Sequence, residues 1–190
     1  MCGICGFVGY PEEKDLLGTM LSTLVHRGPD DNGTYIQPGI ALGHTRLSII
    51  DLTTGHQPIH NEDNTLWIVF NGEIYNYLEL REDLIKKGHR FYTQSDTEVI
   101  IHLYEEEGED FVKHLNGEFA IALWDVPRQK LVLARDRLGI RPLYYYSKGE
   151  LFLFGSEIKA LIATGIVDKE LDCKALDRYI TLRYVPGKDT

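Results

Sequence analysis

The chain has 190 residues, of which 43 % are apolar, which is enough for one domain with a substantial hydrophobic core. Its formal net charge of −9 at pH 7 argues against nucleic acid or an anionic membrane surface as a partner. No apolar run approaches the roughly 18 residues that span a bilayer, no basic-then-apolar leader is present, and three cysteines are too few for a disulfide framework, so we expect a cytoplasmic protein.

The first nine residues, Met1-Cys2-Gly3-Ile4-Cys5-Gly6-Phe7-Val8-Gly9, are small or apolar and predict a buried strand. Removal of Met1 would make Cys2 the N-terminal residue, with a thiol and a free α-amine on adjacent carbon atoms. An α-amine has a reference pKa of about 7.7–8.0 and can accept a proton near neutral pH. Cys2 is therefore a candidate nucleophile that carries its own base.

Cys2 has two other interpretations: a buried structural cysteine, or half of a zinc or redox pair with Cys5. The second is less favoured because the only other cysteine is Cys173. In a strand, moreover, positions three apart point to opposite faces, so Cys2 and Cys5 would not share a ligand.

Apolar residues repeat at helical spacing over residues 14–26 and predict an amphipathic helix: Leu16, Leu17, Met20, Leu21, Leu24 and Val25. The turn-rich segment 26–33 predicts a loop, either a functional one or one in which His26 or Arg27 caps the helix. Short strands are predicted over 34–37 and 40–43, followed by a mixed stretch over 44–51. In that stretch Arg46 either binds a carboxylate through its planar fork or pairs with Asp51.

Residues 66–70 predict an apolar strand that is interrupted by Asn71-Gly72-Glu73. Asn-Gly is the commonest pair in hairpin turns, but the segment behind it is too short to return as a full strand. The other interpretation is an oxyanion site, in which the Asn71 side-chain amide and the Gly72 N–H point together at a developing negative oxygen.

Asn76 and Ser95 each precede a helical pattern with Glu three residues later, a spacing like that of a capping box. The first of these helices is predicted to end near Lys86-Lys87-Gly88. Asp96 lies in the first turn of the second helix. Its carboxylate either interacts favourably with the helix dipole or faces a site that receives an ammonium group. The spacing does not decide between the two.

Residues 119–124 and 131–134 predict an antiparallel hairpin, and 135–142 predict a charged, internally paired connector. Strands over 143–146 and 151–154 and helices over 156–163 and 172–182 follow, so that 1–182 form the domain and 183–190 begin a linker. Antiparallel strands with helices between groups of strands favour an α+β layered sandwich over a parallel βαβ sheet. A dinucleotide fold and a P-loop are excluded, since neither G-x-G-x-x-G nor G-K-[ST] occurs.

Several separated motifs, taken in order, resemble the class II glutamine amidotransferase domains of the N-terminal nucleophile hydrolase superfamily, above all the glutaminase domain of the asparagine synthetases. They cover nearly the whole chain, at residues 2–6, 26–30, 43–52, 55–59, 71–76, 95–100, 115–125 and 134–145. Related amidotransferases carry Trp-containing segments after the equivalent of Arg46. Here the segment is Leu47-Ser48-Ile49-Ile50, as in asparagine synthetases.

The resemblance implies a four-layer α/β/β/α sandwich of two antiparallel sheets and hydrolysis of L-glutamine to glutamate and ammonia through a thioester at Cys2. Asn71 and Gly72 would then form the oxyanion hole, and Arg46 would hold the α-carboxylate of glutamine. The remaining implied site residues are Glu73 and Asp96 for the α-ammonium group, and the backbone of Leu47, Ser48, Ile49 and Ile50 as pocket lining.

The resemblance also implies that this half-reaction needs no metal or organic cofactor. The family's second domain, which uses ATP and Mg²⁺ to activate aspartate, usually carries a Ser-Gly-Gly-x-Asp-Ser loop that does not occur here. The chain alone is therefore expected to hydrolyse glutamine without making asparagine, and the synthetase domain would be its partner in a full-length protein. A homodimer is compatible with the resemblance, which does not define the oligomeric state.

Two rival functions remain at this point. One is a catalytically idle glutamine-binding or docking module for a partner synthetase, which retention of Met1 would favour because the α-amine of Cys2 would then be locked in a peptide bond. The other is an N-terminal-nucleophile amidase for another amide, in which case the pairing of Arg46 with Asp96 would be incidental.

Overall fold

The computed structural model describes residues 1–10, 13–48, 51 and 54–186. Nine strands lie within these residues: β1 (Gly3–Val8), β2 (Asp31–Gln37), β3 (Ile40–Arg46), β4 (Ile59–His60), β5 (Leu66–Ile74), β6 (Gly117–Asp125), β7 (Lys130–Arg135), β8 (Tyr144–Lys148) and β9 (Leu151–Gly155). The α-helices are α1 (Glu13–Ser22), α2 (Tyr77–Lys87), α3 (Asp96–Glu107), α4 (Ile158–Ile162) and α5 (Cys173–Leu182), and a 3₁₀ helix spans Gly108–Lys113.

The strands form two antiparallel sheets. The first has the order β2-β3-β1-β9-β8, so that the N-terminal strand β1 lies at its centre between β3 and β9. The second has the order β4-β5-β6-β7, with the long pair β5–β6 at its middle. The predicted hairpin is present as β6–β7, and the strands predicted over 143–146 and 151–154 pair with each other as β8–β9.

Three apolar clusters show that the two sheets and the helices form four layers. One cluster, which includes Ile4, Leu42 and Val69, lies between the sheets. A second packs α1 and α4 onto the outer face of the first sheet, and a third packs α2 and α3 onto the outer face of the second. The predicted α/β/β/α sandwich of two antiparallel sheets is therefore confirmed.

The first helix is shorter than its sequence pattern predicts, since α1 ends at Ser22 rather than at residue 26. Side-chain hydroxyls compete for its last carbonyls: Ser22 Oγ donates to Thr19 O, and Thr23 Oγ1 donates to Met20 O. The chain continues in tight turns, in which Val25 is exposed rather than on the buried stripe. The loop predicted over 26–33 is also shorter, because β2 already begins at Asp31.

No turn interrupts β5 at Asn71-Gly72-Glu73, so that part of the prediction is wrong. The strand runs to Ile74, and all three residues pair across to β6, opposite Ala120, Phe119 and Glu118. The local preference of Asn-Gly for a hairpin is overridden because nine consecutive positions of β5 pair with β6.

The two predicted caps have different outcomes. Ser95 caps α3, since its side chain accepts a hydrogen bond from the Thr97 N–H. Asn76 makes no side-chain cap for α2; its amide instead donates to His114 O (2.9 Å) and accepts from Asn116 N–H (3.0 Å). A long-range bridge to the segment before β6 thus replaces the expected capping box.

The C-terminal helix α5 differs from the other helices, because none of its residues is buried. Asp172 caps it through hydrogen bonds from the Lys174 and Ala175 N–H groups. Among the described residues, no helix combines the length and apolar character required to cross a membrane.

Candidate active site

A cavity opens where the starts of β1 and α3 approach the ends of β3 and β5. Its lining brings together residues that are far apart in the sequence: Met1, Cys2, Arg46, Leu47, Gly55, Gln57, Phe70, Asn71, Gly72, Glu73, Ser95, Asp96, Thr97 and Arg141. Seven of the predicted site residues are among them: Cys2, Arg46, Leu47, Asn71, Gly72, Glu73 and Asp96.

Cys2 lies just before the central strand of the first sheet, and its thiol contacts the main chain of Leu47. The Leu47 N–H donates to Cys2 Sγ (3.4 Å), and the thiol faces Leu47 O (3.6 Å). Burial raises the pKa of the Cys2 thiol, although this N–H and the positive charges of Arg46 and Arg141 act in the opposite direction. The thiol therefore needs a base before it can act as a nucleophile.

The second cysteine of the Cys2-x-x-Cys5 pattern lies on the other face of β1. Cys5 is fully buried in the cluster under α1, whereas Ile4 faces the gap between the sheets. Burial raises the pKa of the Cys5 thiol strongly. All three cysteines, including the exposed Cys173, are free thiols. The geometry therefore favours a structural role for Cys5 over a zinc or redox pair with Cys2.

Arg27 holds the backbone of Cys2 in place, a role that the sequence did not single out. Its Nε donates to Cys2 O (2.9 Å), and its Nη1 pairs with Glu157 Oε1 (3.1 Å) at the start of α4. Partial burial opposes ionisation of Glu157, but contacts with Arg27, Lys159 and His26 lower its pKa to about 2. The segment after α1 and the start of α4 thus hold Cys2, the residue just before the central strand, in place.

Asn71 presents a buried amide to the cavity. It shares its face of β5 with Val69, which lies between the sheets, and only 1 % of the residue is exposed. Its Nδ2 has no hydrogen-bond partner among the described residues. Because an unpaired buried amide donor costs about 1–3 kcal/mol, this group is explained best by a ligand that accepts from it.

The main-chain N–H of Gly72 points away from β6. The Tyr75 N–H donates to Asn116 O (2.7 Å), which makes the odd-numbered positions of β5 the hydrogen-bonded ones in this ladder. Gly72 occupies an even position and directs its N–H to the opposite edge, where β4 pairs only with Trp67 and Ile68.

At neighbouring positions, side chains accept hydrogen bonds from the N–H groups on this edge of β5. The Phe70 N–H donates to Gln57 Oε1 (2.7 Å), and the Ile74 N–H donates to Asp96 Oδ2 (3.0 Å). The Gly72 N–H lies between these two on the edge that borders the cavity. A side chain could not replace the glycine, because a Cβ there would lie 2.1 Å from Glu118 O.

Two carboxylates, Glu73 and Asp96, line the same side of the cavity. Burial and the nearby charge of Glu73 raise the pKa of Asp96 to about 6, although the Ile74 N–H bond opposes the shift. Burial also raises the pKa of Glu73. A nearby cation such as an ammonium group would lower both pKa values, so the position of Asp96 is compatible with the role predicted for it.

Arg46, at the end of β3, brings a guanidinium group to the cavity. Its Nη2 donates to the main-chain oxygen of Asp51 (2.5 Å), while the Asp51 carboxylate accepts from the Gln94 N–H (2.8 Å). Gly55 makes room for this group, since a Cβ there would lie 2.6 Å from Arg46 Nη2.

The remaining predicted lining residues are placed differently. Ser48 is not among the lining residues; its N–H donates to Asp30 Oδ2 (2.8 Å). Ile49 and Ile50 lie outside the described residues, so the roles predicted for these three stay predictions.

Gln57 and Arg141 line the cavity without having been predicted. Arg141 comes from the charged connector predicted over 135–142 and pairs with Glu118 (2.6 Å). The predicted internal pairing of the connector holds only in part: Asp136 accepts from three of its backbone N–H groups, whereas Arg141 pairs with a residue of β6. No local signal could have identified Arg141, because Arg135 and Arg137 are cations in the same connector.

The chain is similar to known proteins over most of its length. A family model described as a glutamine amidotransferase domain matches residues 1–190. Glutamine-hydrolysing asparagine synthetase 3 of Bacillus subtilis is 43 % identical over 188 residues, which cover 96 % of this chain and 31 % of that protein. Amidase chry2 of Gibberella zeae is 40 % identical over 182 residues, covering 87 % of this chain and 27 % of that protein.

A solved structure, the glutamine phosphoribosylpyrophosphate amidotransferase of B. subtilis, superposes with a TM-score of 0.73 at 25 % identity. The match covers 86 % of this chain and 44 % of that one. The chain thus spans less than a third of the length of the relatives named above and less than half of this structural neighbour.

Proposed function

We propose that this chain, which belongs to the glutamine amidotransferase domain family, hydrolyses L-glutamine to glutamate and ammonia through a thioester at Cys2. The observation that carries the proposal is the buried amide of Asn71, whose Nδ2 finds no partner in the part of the chain that the structure describes and which lines the same cavity as the Cys2 thiol and the Gly72 N–H. Such donors are the components of an oxyanion hole.

Substrate binding follows from the charges of the cavity. Arg46 would bind the α-carboxylate of glutamine with its planar guanidinium group. Asp96 and Glu73 would bind the α-ammonium group. The positive charge of that group would favour the ionised form of both carboxylates, whose pKa values are raised by burial. An amide that lacks either charged group would lose one of these contacts.

The reaction begins once Met1 has been removed. The α-amine of Cys2, directly or through water, accepts the thiol proton, and the thiolate attacks the side-chain carbonyl carbon of glutamine. The negative oxygen that develops is stabilised by Asn71 Nδ2 and the Gly72 N–H. The protonated amine returns the proton to the leaving nitrogen, so that the C–N bond breaks, ammonia leaves and the glutamyl thioester remains. Water then attacks the thioester, breaks its C–S bond and releases glutamate and the Cys2 thiol.

The use of the ammonia lies beyond this chain. Because the relatives are glutamine-hydrolysing asparagine synthetases, we propose that the ammonia serves ATP-dependent asparagine synthesis from aspartate in a longer protein. ATP and Mg²⁺ would belong to that synthetase domain, and this half-reaction would need no cofactor. A cytoplasmic location would suit the three free thiols.

Glutamate release from glutamine by the purified chain tests the proposal, with the N-terminus checked by intact mass. We expect Met1-free protein to release glutamate and ammonia, Cys2→Ala to abolish both, and Cys173→Ala to leave both unchanged. Cys173 is a matched control, because it is an exposed thiol far along the chain.

Two further outcomes separate the rival functions. If Met1-free protein binds glutamine but leaves it intact, the chain is an idle binding module and the hydrolase proposal is wrong. If it hydrolyses short amides without an α-carboxylate as fast as glutamine, it is a general amidase, and the roles proposed for Arg46 and Asp96 are wrong.

A further inference from the structure

A second cluster of ligand-type side chains lies outside the cavity, at the far side of α3. Glu62 follows β4, His89 follows α2, and His102 and Glu105 lie one turn apart on α3. One ligand atom from each of the four lies within 4.8 Å of every other. His102 is completely buried, and the side chain of His89 is 14 % exposed.

The spacing of these atoms suits a tetrahedral ion. His102 Nδ1 lies 2.7 Å from Glu105 Oε2 and 3.7 Å from Glu62 Oε2, and His89 Nδ1 lies 3.4 Å from Glu105 Oε2. Zinc–nitrogen and zinc–oxygen bonds of about 2.0–2.2 Å in a tetrahedron place neighbouring ligand atoms about 3.3–3.6 Å apart. These three distances differ from that spacing by up to about 0.6 Å and the remaining pairs lie within 4.8 Å, so side-chain shifts on the order of 1 Å would bring the four atoms to that geometry.

Each carboxylate has its outer oxygen held by a donor. The Asn61 amide donates to Glu105 Oε1 (2.8 Å), and the Arg90 N–H donates to Glu62 Oε1 (2.8 Å). These bonds leave the Oε2 atoms of both glutamates directed into the cluster. Carboxylate ligands of metal ions are commonly oriented in this way.

Each histidine has its outer nitrogen beside a further carboxylate. His89 Nε2 lies 3.1 Å from Glu106 Oε1, and His102 Nε2 lies 3.7 Å from Glu98 Oε1. Metal-bound histidines typically donate their second ring N–H to such a group, which sets the tautomer and the ring orientation. A cluster that merely exposed acidic residues to solvent would not need this outer set of partners.

We propose that Glu62, His89, His102 and Glu105 form a structural site for a divalent ion of the zinc type. Two imidazole nitrogens and two carboxylate oxygens suit such an ion, and the two ligand carboxylates balance its charge. The ion would join the segment after β4 and the α2–α3 connection to α3, the helix that begins with Asp96. The sequence predicted no metal, because the ligands are scattered over 44 residues.

Isothermal titration calorimetry of chelator-treated protein with Zn²⁺ tests this proposal. We expect one ion per chain with a dissociation constant of about 1 µM or below. His89→Ala and Glu62→Gln should each weaken binding by at least about 100-fold, since even loss of an outer partner costs about 10–100-fold. Both positions are partly exposed, so these variants should fold, which circular dichroism would verify.

His114→Ala is the matched control, because His114 is half-exposed and lies 3.9 Å from its nearest carboxylate, on Glu107.

Co²⁺ absorption identifies the ligands: tetrahedral nitrogen and oxygen ligands give visible bands without the thiolate charge-transfer band that binding at Cys2 or Cys173 would add. Glu106→Gln should weaken Zn²⁺ binding by about 10–100-fold. Equal affinity in wild type and His89→Ala, a dissociation constant above about 100 µM, or a thiolate band alone would overturn the proposal.

Discussion

Asn71 is the residue on which the catalytic proposal depends most. We expect Asn71→Ala to lower kcat for glutamine by about 10²- to 10³-fold with little change in KM, because the amide would act on the developing oxyanion rather than on the bound substrate. Steady-state kinetics on Met1-free protein would measure this. Asn32→Ala, at an exposed position of β2, should leave kcat unchanged. A rise in KM alone would mean that Asn71 binds the substrate rather than the transition state.

Asp96 gives the site a pH dependence with a definite sign. Its pKa is raised to about 6, so it is largely ionised at pH 7.5 and largely protonated at pH 5. Because only the carboxylate attracts an ammonium group, we expect kcat/KM for glutamine to fall as pH drops through 6. Asp96→Asn should raise KM at pH 7.5 and lose the step near pH 6, while the fall in kcat/KM caused by protonation of the Cys2 α-amine below about pH 8 remains. A wild-type profile that is flat between pH 5 and 7.5 would contradict the assignment.

Because its pKa is raised, Asp96 lowers the free energy of unfolding at neutral pH. Between about pH 4 and 6 the folded chain keeps a proton that the unfolded chain releases, so the contribution of this group to the unfolding free energy falls as pH rises. The loss at neutral pH is on the order of 2–3 kcal/mol. Asp96→Asn can still accept from the Ile74 N–H, and we expect it to raise the unfolding free energy at pH 7.5 by about 1–3 kcal/mol. Urea unfolding of the two proteins would measure the difference.

At the level of elements, the turns after α1 link close packing at Gly28 to the position of Cys2, which Arg27 contacts. A Cβ at Gly28 would lie 2.4 Å from Thr45 O, so the segment carrying Arg27 would have to move away from Cys2. We expect Gly28→Ala to lower the unfolding free energy by about 1–3 kcal/mol and to reduce kcat together with it. Thermal unfolding and glutamate release would be measured on the same samples.

Gly18 supplies the matched control for Gly28. It lies within α1, no atom lies within 4 Å of the position that a Cβ would occupy there, and Ala is the better helix former. Gly18→Ala should therefore raise the unfolding free energy by about 0.5–1 kcal/mol and leave kcat unchanged. If both variants behave alike, close packing at Gly28 is not what positions Cys2.

The elements also show which structural features can be predicted from local sequence patterns. The α3 cap was predictable because Ser95 needs only a backbone N–H two residues away. The role of Asn76 was not, since its amide bonds to His114 and Asn116, which are distant in the sequence. The course of β5 through Asn71-Gly72 likewise depends on its pairing with β6.

For the molecule as a whole, His44 between the two sheets predicts sensitivity to acid. Burial lowers its pKa to about 3, well below its ordinary value of 6.5. Below pH 6.5 the unfolded chain binds a proton that the folded chain does not, so this contribution to stability is complete above about pH 6.5 and is lost as pH falls towards 3. The slope approaches about 1.4 kcal/mol per pH unit.

Denaturant unfolding between pH 4.5 and 7.5 tests this prediction. Wild type should lose stability as the pH falls, and His44→Gln should show a smaller slope, whatever its stability at pH 7.5. Asp96 has the opposite sign in part of this range, so Asp96→Asn should make the acid loss steeper. Parallel curves for wild type and His44→Gln would show that His44 is not the group responsible.

The sequence by itself determined the fold class, the family resemblance and the residue types of the chemistry. Apolar periodicity marks the core faces of strands and helices, and a cysteine behind an initiator Met is recognisable in one dimension. Only the tertiary structure decided that Asn71 Nδ2 has no partner within the described ranges, that Arg27 holds Cys2 and that Arg141 lines the cavity. It alone brought Glu62, His89, His102 and Glu105 together. The physical reason is that these properties arise from contacts between distant segments, and neither local propensity nor spacing carries information about such contacts.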